Sequence, residues 1–342
     1  MRNNFIQTII ILLIGLTSAN NARAIRAEVS SKVNESDSLA LVALYNATQG
    51  AGWTFSTNWL TGPVRSWHGI TVTNDRVTDI NLFSNRLIGQ IPPQIENLTA
   101  LISFTAHSNQ LTGSLPPEIG QLTSLKTLHL ASNSLNGTLP PQLGLLQNLE
   151  YMYLHANRFE GHIPPELGQL NKLIYLFLYS NSLTGTIPPE LGSMQALQRL
   201  YLYSNKLSGS IPPELGNMAQ MRLLHLQTNE LTGTIPPELG NLKLASYLYL
   251  QQNRLSGQIP SELGDMTSMQ YLRLENNALS GQIPSALSKL KNLRQLFLDM
   301  NQLSGSIPPE LGDLSLLQTL SISLNQLTGS IPLELGKLNN LS

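Results

Sequence analysis

Residues 122–145 read LTSLKTLHLASNSLNGTLPPQLGL. Leucines stand eleven, eight, five and three positions before Asn133 and again two positions after it, and a Gly-x-Leu-Pro segment follows. The same arrangement surrounds eleven asparagines, placed every 24 residues from Asn85 to Asn325. Self-similarity at this period predicts a solenoid, in which each repeat buries its apolar side by stacking on its neighbours.

Each recurring residue of the repeat has a physical role. The alternation of Leu128, His129 and Leu130 is typical of a short strand, so stacked repeats predict a parallel sheet with strands about 4.8 Å apart. The asparagine amide can bond backbone groups of neighbouring turns. A glycine four positions after every asparagine suits a bend without a side chain, and the proline that follows stiffens the return segment.

Composition narrows the classes of partner. Charged residues make up 12% of the 342 residues, and the formal net charge is −1. A nucleic-acid partner is not predicted, because phosphate backbones require a basic stripe that this chain lacks. The chain has no cysteine, so no disulfide can secure the ends of the solenoid and packing alone must do so.

Residues 1–24 are predicted to be a signal peptide. Arg2 supplies the positive start, residues 9–16 form an apolar run, and residues 22–24 read Ala-Arg-Ala, which fits a small-residue cleavage site. Cleavage after Ala19 is an alternative, and an uncleaved membrane anchor is another. The run is shorter than the roughly 20 apolar residues that a spanning helix needs, and no later stretch qualifies as a membrane-spanning segment.

Residues 25–76 are predicted to form an N-terminal cap. Ser38 can cap a helix whose apolar residues follow at helical spacing. All three tryptophans of the chain, Trp53, Trp59 and Trp67, fall in this segment. A terminal repeat would otherwise expose its apolar end, so we interpret the tryptophans as packing residues rather than ligand contacts.

The motif Asn-x-Leu-x-Gly-x-Ile-Pro-x-x-Leu-Gly-x-Leu resembles the plant-type leucine-rich repeat over residues 77–342, as eleven 24-residue units without an evident C-terminal cap. The Trp-x-Gly-Ile segment that starts at Trp67 is similar to the N-terminal cap of that family, except that Ser66 and Val72 stand where the family often has cysteines. The resemblance implies an α/β repeat solenoid. It is a curved array with a parallel sheet on the concave face, the Gly-x-Ile-Pro segments along one flank, and a capped N-terminus.

The resemblance also implies that residues six, four, two and one positions before each asparagine point outward on the concave face of the sheet. Nine of the ten tyrosines occupy these positions. Two interpretations remain: tyrosine favours strands and repeat duplication copied it, or the rings form a binding surface. On the second interpretation the predicted ligand-binding residues are Tyr151, Tyr153, His155, Tyr175, Phe177, Tyr179, Arg199, Tyr201, Tyr203, His225, Tyr247, Tyr249, Tyr271 and Arg273.

Charge on the same face is sparse, and Glu275 and Asp299 are among its few carboxylates. Some receptors of the family use an Arg-x-Arg pair to hold a peptide carboxylate. Here Tyr271 precedes Arg273 at that spacing, so half of the pair is missing. No motif of a hydrolase, metalloprotease or phosphate-binding loop is present, so neither catalysis nor a cofactor is predicted.

The sequence therefore predicts a non-enzymatic recognition module, secreted or at the cell surface, that binds an extracellular protein, peptide or glycan. One alternative is a truncated ectodomain of a leucine-rich repeat receptor kinase, with a co-receptor as a further partner. A second is an inhibitor of cell-wall-degrading enzymes, like the polygalacturonase-inhibiting members of the family. A third is an adhesive surface protein in which the tyrosines have no specific ligand.

Overall fold

The computed structural model describes residues 33–342. The predicted signal peptide, residues 1–24, and the first part of the predicted cap, residues 25–32, lie outside this part of the chain. Within residues 33–342, none of the helices has the length and apolar character that crossing a bilayer requires.

The cap begins with helix α1, Glu35–Ala47. Its N-cap is Asn34, whose Oδ1 accepts from the backbone N–H groups of Ser36 at 2.9 Å and Asp37 at 3.4 Å. The prediction that Ser38 caps this helix is therefore wrong. Ser38 is buried in the first turn, where its hydroxyl donates to the carbonyl of Asn34 at 3.2 Å. The helix starts earlier because an asparagine side chain satisfies the free N–H groups of its first turn.

The three tryptophans pack inside the cap, as expected, and are 2–6% exposed. Trp59 contacts both Trp53 and Trp67, with ring centroids 4.8 Å apart in each pair. Each indole N–H donates to a backbone carbonyl, for example Trp59 Nε1 to His68 at 2.9 Å. Two short 3-10 helices, Gly50–Gly52 and Val64–Ser66, complete the cap.

One sheet of 12 strands runs through the described part of the chain, with its strands in sequence order. The first two strands pair antiparallel and all later pairs are parallel. From the second strand on, partners in neighbouring strands are 24 residues apart, as Tyr175 and Arg199 are. The strands, β1 to β12, are Ile70–Thr73, Arg76–Asn81, Ser103–Thr105, Thr127–His129, Tyr151–Tyr153, Tyr175–Phe177, Arg199–Tyr201, Leu223–His225, Tyr247–Tyr249, Tyr271–Arg273, Gln295–Phe297 and Thr319–Ser321.

The return half of each repeat adds a short flank strand and a 3-10 helix that follows the recurring proline. The flank strands are Ile88–Gly89, Gln110–Leu111, Asn136–Thr138, Arg158–Gly161, Ser182–Gly185, Lys206–Gly209, Glu230–Leu231, Ser256–Gln258, Ala278–Gly281, Gln302–Gly305 and Gln326–Leu327. The 3-10 helices are Pro93–Asn97, Pro117–Gln121, Pro141–Leu145, Pro165–Gln169, Pro189–Ser193, Pro213–Asn217, Pro237–Asn241, Ser261–Asp265, Ser285–Lys289, Pro309–Asp313 and Leu333–Lys337.

The recurring leucines form one continuous core between the main sheet and the 3-10 helices, and most of them are fully buried. The asparagines join each repeat to the one before it. Asn157, for example, donates through Nδ2 to the carbonyls of Leu130 at 3.0 Å and Leu154 at 3.1 Å. Its Oδ1 accepts from the backbone N–H of Leu135 at 3.0 Å. This is the backbone bonding that the sequence predicts for the asparagine.

A buried ion pair fixes the cap to the sheet. Asp37 of α1 is 0% exposed, and its carboxylate accepts two hydrogen bonds from the guanidinium of Arg76, at 2.9 Å and 3.0 Å. The same carboxylate accepts the backbone N–H of Val77 at 2.8 Å. The helix that precedes the repeats is therefore held in register with β2.

Candidate functional site

The outward positions of the main sheet line up from repeat to repeat because neighbouring strands pair at 24-residue intervals. We call this surface the sheet face and divide it into three columns. The first column contains the residues six positions before each asparagine, the central column those four before, and the third column those two before. All fourteen predicted site residues lie in these columns. Each of them is half-buried.

The central column is a ladder of rings from β4 to β9. Phe177, Tyr201, His225 and Tyr249 stack with successive centroids 4.3 Å, 4.4 Å and 4.4 Å apart, and the planes of each pair lie within 18° of parallel. The ladder continues through Arg273, whose Cζ lies 5.7 Å from the ring centroid of Tyr249 and 4.6 Å from that of the next ring. The strand spacing of about 4.8 Å matches the distance at which aromatic rings stack.

The outer two columns contain shorter stacks. In the third column, His155, Tyr179 and Tyr203 stack with centroids 4.3 Å apart in each pair. In the first column, Arg199 lies over Tyr175, with Cζ 4.5 Å from the centroid. The first column also holds the remaining predicted rings, with centroid distances of 5.3 Å for Tyr151 and Tyr175 and 4.5 Å for Tyr247 and Tyr271.

The predicted rings are half-buried because each one covers part of its neighbours. The aromatic surface extends beyond the predicted ligand-binding residues towards the cap. Phe83 stacks on His107 at 5.3 Å, His107 on His129 at 4.0 Å, and His129 contacts Tyr153 at 4.8 Å. The run of rings therefore starts in the repeat next to the cap.

Burial in these stacks favours the uncharged forms of the histidines and tyrosines within them. Desolvation lowers the pKa of His129, His155 and His225 to about 4 in each case. Desolvation also raises the pKa of Tyr179 and Tyr203. At neutral pH these three imidazoles and two phenols are therefore neutral amphipathic groups, which suits contact with an apolar or hydrogen-bonding ligand.

Sequence reasoning missed the polar end of the third column. After Tyr203, this column continues as Gln227, Gln251, Glu275 and Asp299, and the buried atoms without a hydrogen-bond partner include one oxygen of each. The sequence contains a signal for this change, because the residues two positions before each asparagine stop being aromatic at Gln227. The lack of hydrogen-bond partners for the oxygens is visible only in the three-dimensional structure.

No metal centre is available to the described chain, since residues 33–342 contain no group of three or more His, Asp or Glu side chains that could hold an ion. The site is a continuous, half-exposed surface of stacked rings that extends over many repeats. This arrangement forms a long, narrow surface along the main sheet.

A solenoid in which each 24-residue repeat adds one strand to a main parallel sheet and returns through a 3-10 helix is typical of leucine-rich repeat proteins. This chain belongs to that family. Family models described as leucine rich repeat match residues 124–146, 148–170, 172–194, 196–218, 220–242, 245–303 and 316–338.

The family includes solved structures that cover most of this chain. The complex of PEPR1 with AtPEP1 is 34% identical, with a TM-score of 0.79, and the match covers 90% of this chain and 48% of that chain. The ectodomain of the Arabidopsis receptor kinase HAESA, in complex with an IDA peptide hormone ligand, is 30% identical with a TM-score of 0.75. That match covers 90% of this chain and 53% of the ectodomain. The chain thus spans about half the length of these two solved chains.

A plant ice-binding protein is similar over its whole length. It is 30% identical, with a TM-score of 0.74, and the match covers 88% of this chain and 98% of that chain. No curated protein matches the chain by sequence.

Proposed function

We propose that this protein is a non-enzymatic extracellular recognition module whose sheet face binds an extended peptide. The observation that carries the proposal is the unbroken ladder of rings in the central column, flanked by ring stacks on both sides. Half-exposed tyrosines offer a large contact area at a low entropy cost, and their hydroxyls remain able to bond a peptide backbone.

The relatives support a peptide over the other ligand classes. The HAESA ectodomain is solved with a peptide hormone, and a plant peptide hormone receptor, RGFR1, is 33% identical to this chain. An extended peptide also matches the shape of the surface, because both are long and narrow. On this proposal the chain acts either alone or as part of a longer receptor that pairs with a co-receptor, as HAESA does with SERK1.

The test is a binding screen of the secreted chain on peptide, glycan and extracellular-protein arrays, with two matched triple variants. The first variant replaces Tyr153, Phe177 and Tyr201 by leucine, which removes the rings and keeps apolar packing on the strands. The control variant replaces Thr186, Ser210 and Thr234 by alanine on the flank, where all three are exposed.

We expect a peptide to bind the wild type and the flank variant and to be lost, by at least about tenfold, in the ring variant. A glycan or a folded protein as the only ligand, or equal binding by both variants, would contradict the proposal. Inhibition of an added pectinase by the wild type would instead favour the inhibitor of cell-wall-degrading enzymes.

A second candidate function, ice binding, is favoured by the flank. Hydroxyl residues stand three and five positions after the asparagine in consecutive repeats, at 184 and 186, 208 and 210, and 232 and 234. Residues 184 and 208 lie in flank strands, and the other four follow the ends of flank strands that pair in the same parallel sheet. The hydroxyls therefore recur from repeat to repeat at about the strand spacing of 4.8 Å. The similar plant protein is an ice-binding protein.

Inhibition of ice recrystallisation measures this second function directly. If the flank binds ice, the alanine variant at Thr186, Ser210 and Thr234 loses the inhibition, and the ring variant keeps it. Absence of inhibition by the wild type rejects the second candidate and leaves the peptide proposal unaffected.

A further inference from the structure

The third column of the sheet face changes character halfway along the solenoid. Its first part is the stack that ends at Tyr203. The next four repeats place Gln227, Gln251, Glu275 and Asp299 at the same position. Backbone bonds keep the four in line, since the N–H groups of residues 228, 252 and 276 donate to the carbonyls of Gln251, Glu275 and Asp299 at 3.0–3.1 Å. Four acceptor side chains therefore lie side by side in a row.

Each of these side chains retains an acceptor that the protein does not use. Gln227 Oε1, Gln251 Oε1, Glu275 Oε2 and Asp299 Oδ1 are buried atoms without a hydrogen-bond partner among the protein's own groups. Gln251 is only 8% exposed, and the side chain of Glu275 is 12% exposed. Native proteins pair most buried polar atoms, so four unused oxygens in one row indicate a place where a donor binds.

The charge of the row is negative. Glu275 Oε1 accepts from Arg273 Nη2 at 2.7 Å, which neutralises one carboxylate. Arg273 is itself fixed between the rings of Tyr249 and Phe297. Among residues 33–342, no lysine, arginine or histidine nitrogen lies within ion-pair distance of the Asp299 carboxylate, so one negative charge is left over. Burial raises the pKa of Glu275, and the charge of Asp299 adds to this effect.

The same place offers one unused donor. The Nε of Arg273 is buried and has no hydrogen-bond partner. A ligand that brings a positive charge to the acceptor row and a carbonyl oxygen to Arg273 would satisfy both kinds of group. A peptide does this with a guanidinium or ammonium group and the carbonyl beside it. A bare metal ion fits poorly, since two of the four acceptors are neutral amides and one carboxylate is already paired.

We propose that Gln227, Gln251, Glu275 and Asp299 form a subsite for a guanidinium or ammonium group of the bound peptide. The inference rests on the proposed peptide-binding function and adds the orientation of the bound peptide along the sheet face. The apolar part of the peptide lies along the rings of repeats three to seven, and its cationic group lies towards repeats nine and ten. Charge-assisted hydrogen bonds to buried carboxylates supply the preference for a cation.

The test uses the full secreted chain and four pools of labelled decapeptides with neutral random positions. Three acetylated pools have a fixed arginine, lysine or citrulline at one position, and the fourth is the citrulline pool with a free amino terminus. Citrulline has nearly the shape of arginine without its charge. Retention by wild type is compared with that by the double variant Glu275→Gln and Asp299→Asn. The control carries Glu214→Gln and Glu238→Gln, which are exposed on the 3-10 helices.

We expect wild type and the control to retain at least one cationic pool about tenfold more strongly than the acetylated citrulline pool. This ratio should fall close to one in the double variant, with the citrulline pool retained as before. The arginine and lysine pools report a side chain, and the fourth pool reports a terminal amine. Equal retention of all pools by wild type, or a preference that survives in the double variant, overturns the subsite.

The two proposals fail in different ways. One outcome is that wild type retains the cationic pools and the citrulline pool equally, while the ring variant at Tyr153, Phe177 and Tyr201 retains none of them. In that case peptide binding stands and the cationic subsite is wrong. If wild type retains no pool, both are wrong. Both substitutions in the double variant are close to isosteric, and an unchanged melting temperature verifies that the fold is intact.

Discussion

At the scale of single residues, the asparagine connects one repeat to the next. Asn205 Oδ1 accepts the N–H of Leu183 at 3.0 Å, and its Nδ2 donates to Leu178 at 3.1 Å and Leu202 at 3.0 Å. These backbone groups flank the bends of two neighbouring repeats, at Ser180 and Ser204, and each of these serines has a left-handed φ of 54°. The asparagine thus satisfies groups that the tight turn removes from regular pairing.

We predict that Asn205→Ala lowers the free energy of unfolding by about 3 kcal/mol, because it leaves buried backbone donors and acceptors unpaired. The matched control is Asn217→Ala, which makes the same chemical change at an exposed position and should cost less than about 0.5 kcal/mol. Urea denaturation followed by circular dichroism measures both. Similar losses in the two variants would show that the asparagine ladder does not stabilise the solenoid in the way described.

At the scale of elements, a buried carboxylate contributes to the junction between the cap and the sheet. Asp37 is fully buried, whereas the side chain of its partner Arg76 remains 32% exposed. Removing the carboxylate leaves the N–H of Val77 without an acceptor and leaves the guanidinium of Arg76 only the hydroxyl of Thr99. Asp37 therefore joins α1 to β2 through three hydrogen bonds.

We predict that Asp37→Ala costs about 3 kcal/mol, as expected for breaking a buried ion pair on one side. Arg254→Ala is the control, since its pair with Glu230 is exposed on both sides and such pairs contribute about 0–1 kcal/mol. Hydrogen exchange should show faster opening of α1 in the Asp37 variant. Unchanged protection of this helix would contradict the role assigned to the carboxylate.

The secondary-structure elements also show which parts of the structure can be predicted from the sequence. The 24-residue period predicts the strands, their register and the outward positions, because every repeat must align with its neighbours to bury its leucines. It does not predict where α1 begins, since Asn34 and Ser38 are both good N-caps. The mutual burial of Tyr179 and Tyr203 is also beyond it, because that depends on side-chain conformations across two repeats. The unused oxygens of Gln251 and Glu275 escape sequence reasoning for the same reason.

At the scale of the whole molecule, the sheet face couples stability to pH. His129, His155 and His225 have a folded-state pKa of about 4, below the ordinary value of 6.5, because burial disfavours their charged form. Between these two values the unfolded chain binds more protons than the folded one. Stability is therefore at its full value above pH 6.5 and decreases as the pH falls towards 4.

We predict a falling melting temperature across this window, measured by circular dichroism from pH 8 to pH 4. A variant with glutamine at His129, His155 and His225 cannot take up these protons, so its melting temperature should fall less over the same range. Parallel curves for wild type and variant would show that the three imidazoles titrate normally in the folded protein.

The separation of ring types along the chain has an optical consequence. The three indoles lie together in the cap, whereas nine of the ten phenols lie in the repeats. Tryptophan fluorescence, excited selectively, therefore follows unfolding of the N-terminal cap. Tyrosine fluorescence follows unfolding of the repeats. In a one-dimensional stack these regions need not unfold together. A single sample of the unmodified protein thus has its own two-colour probe, and coincident transitions in the two colours would show that cap and repeats unfold as one unit.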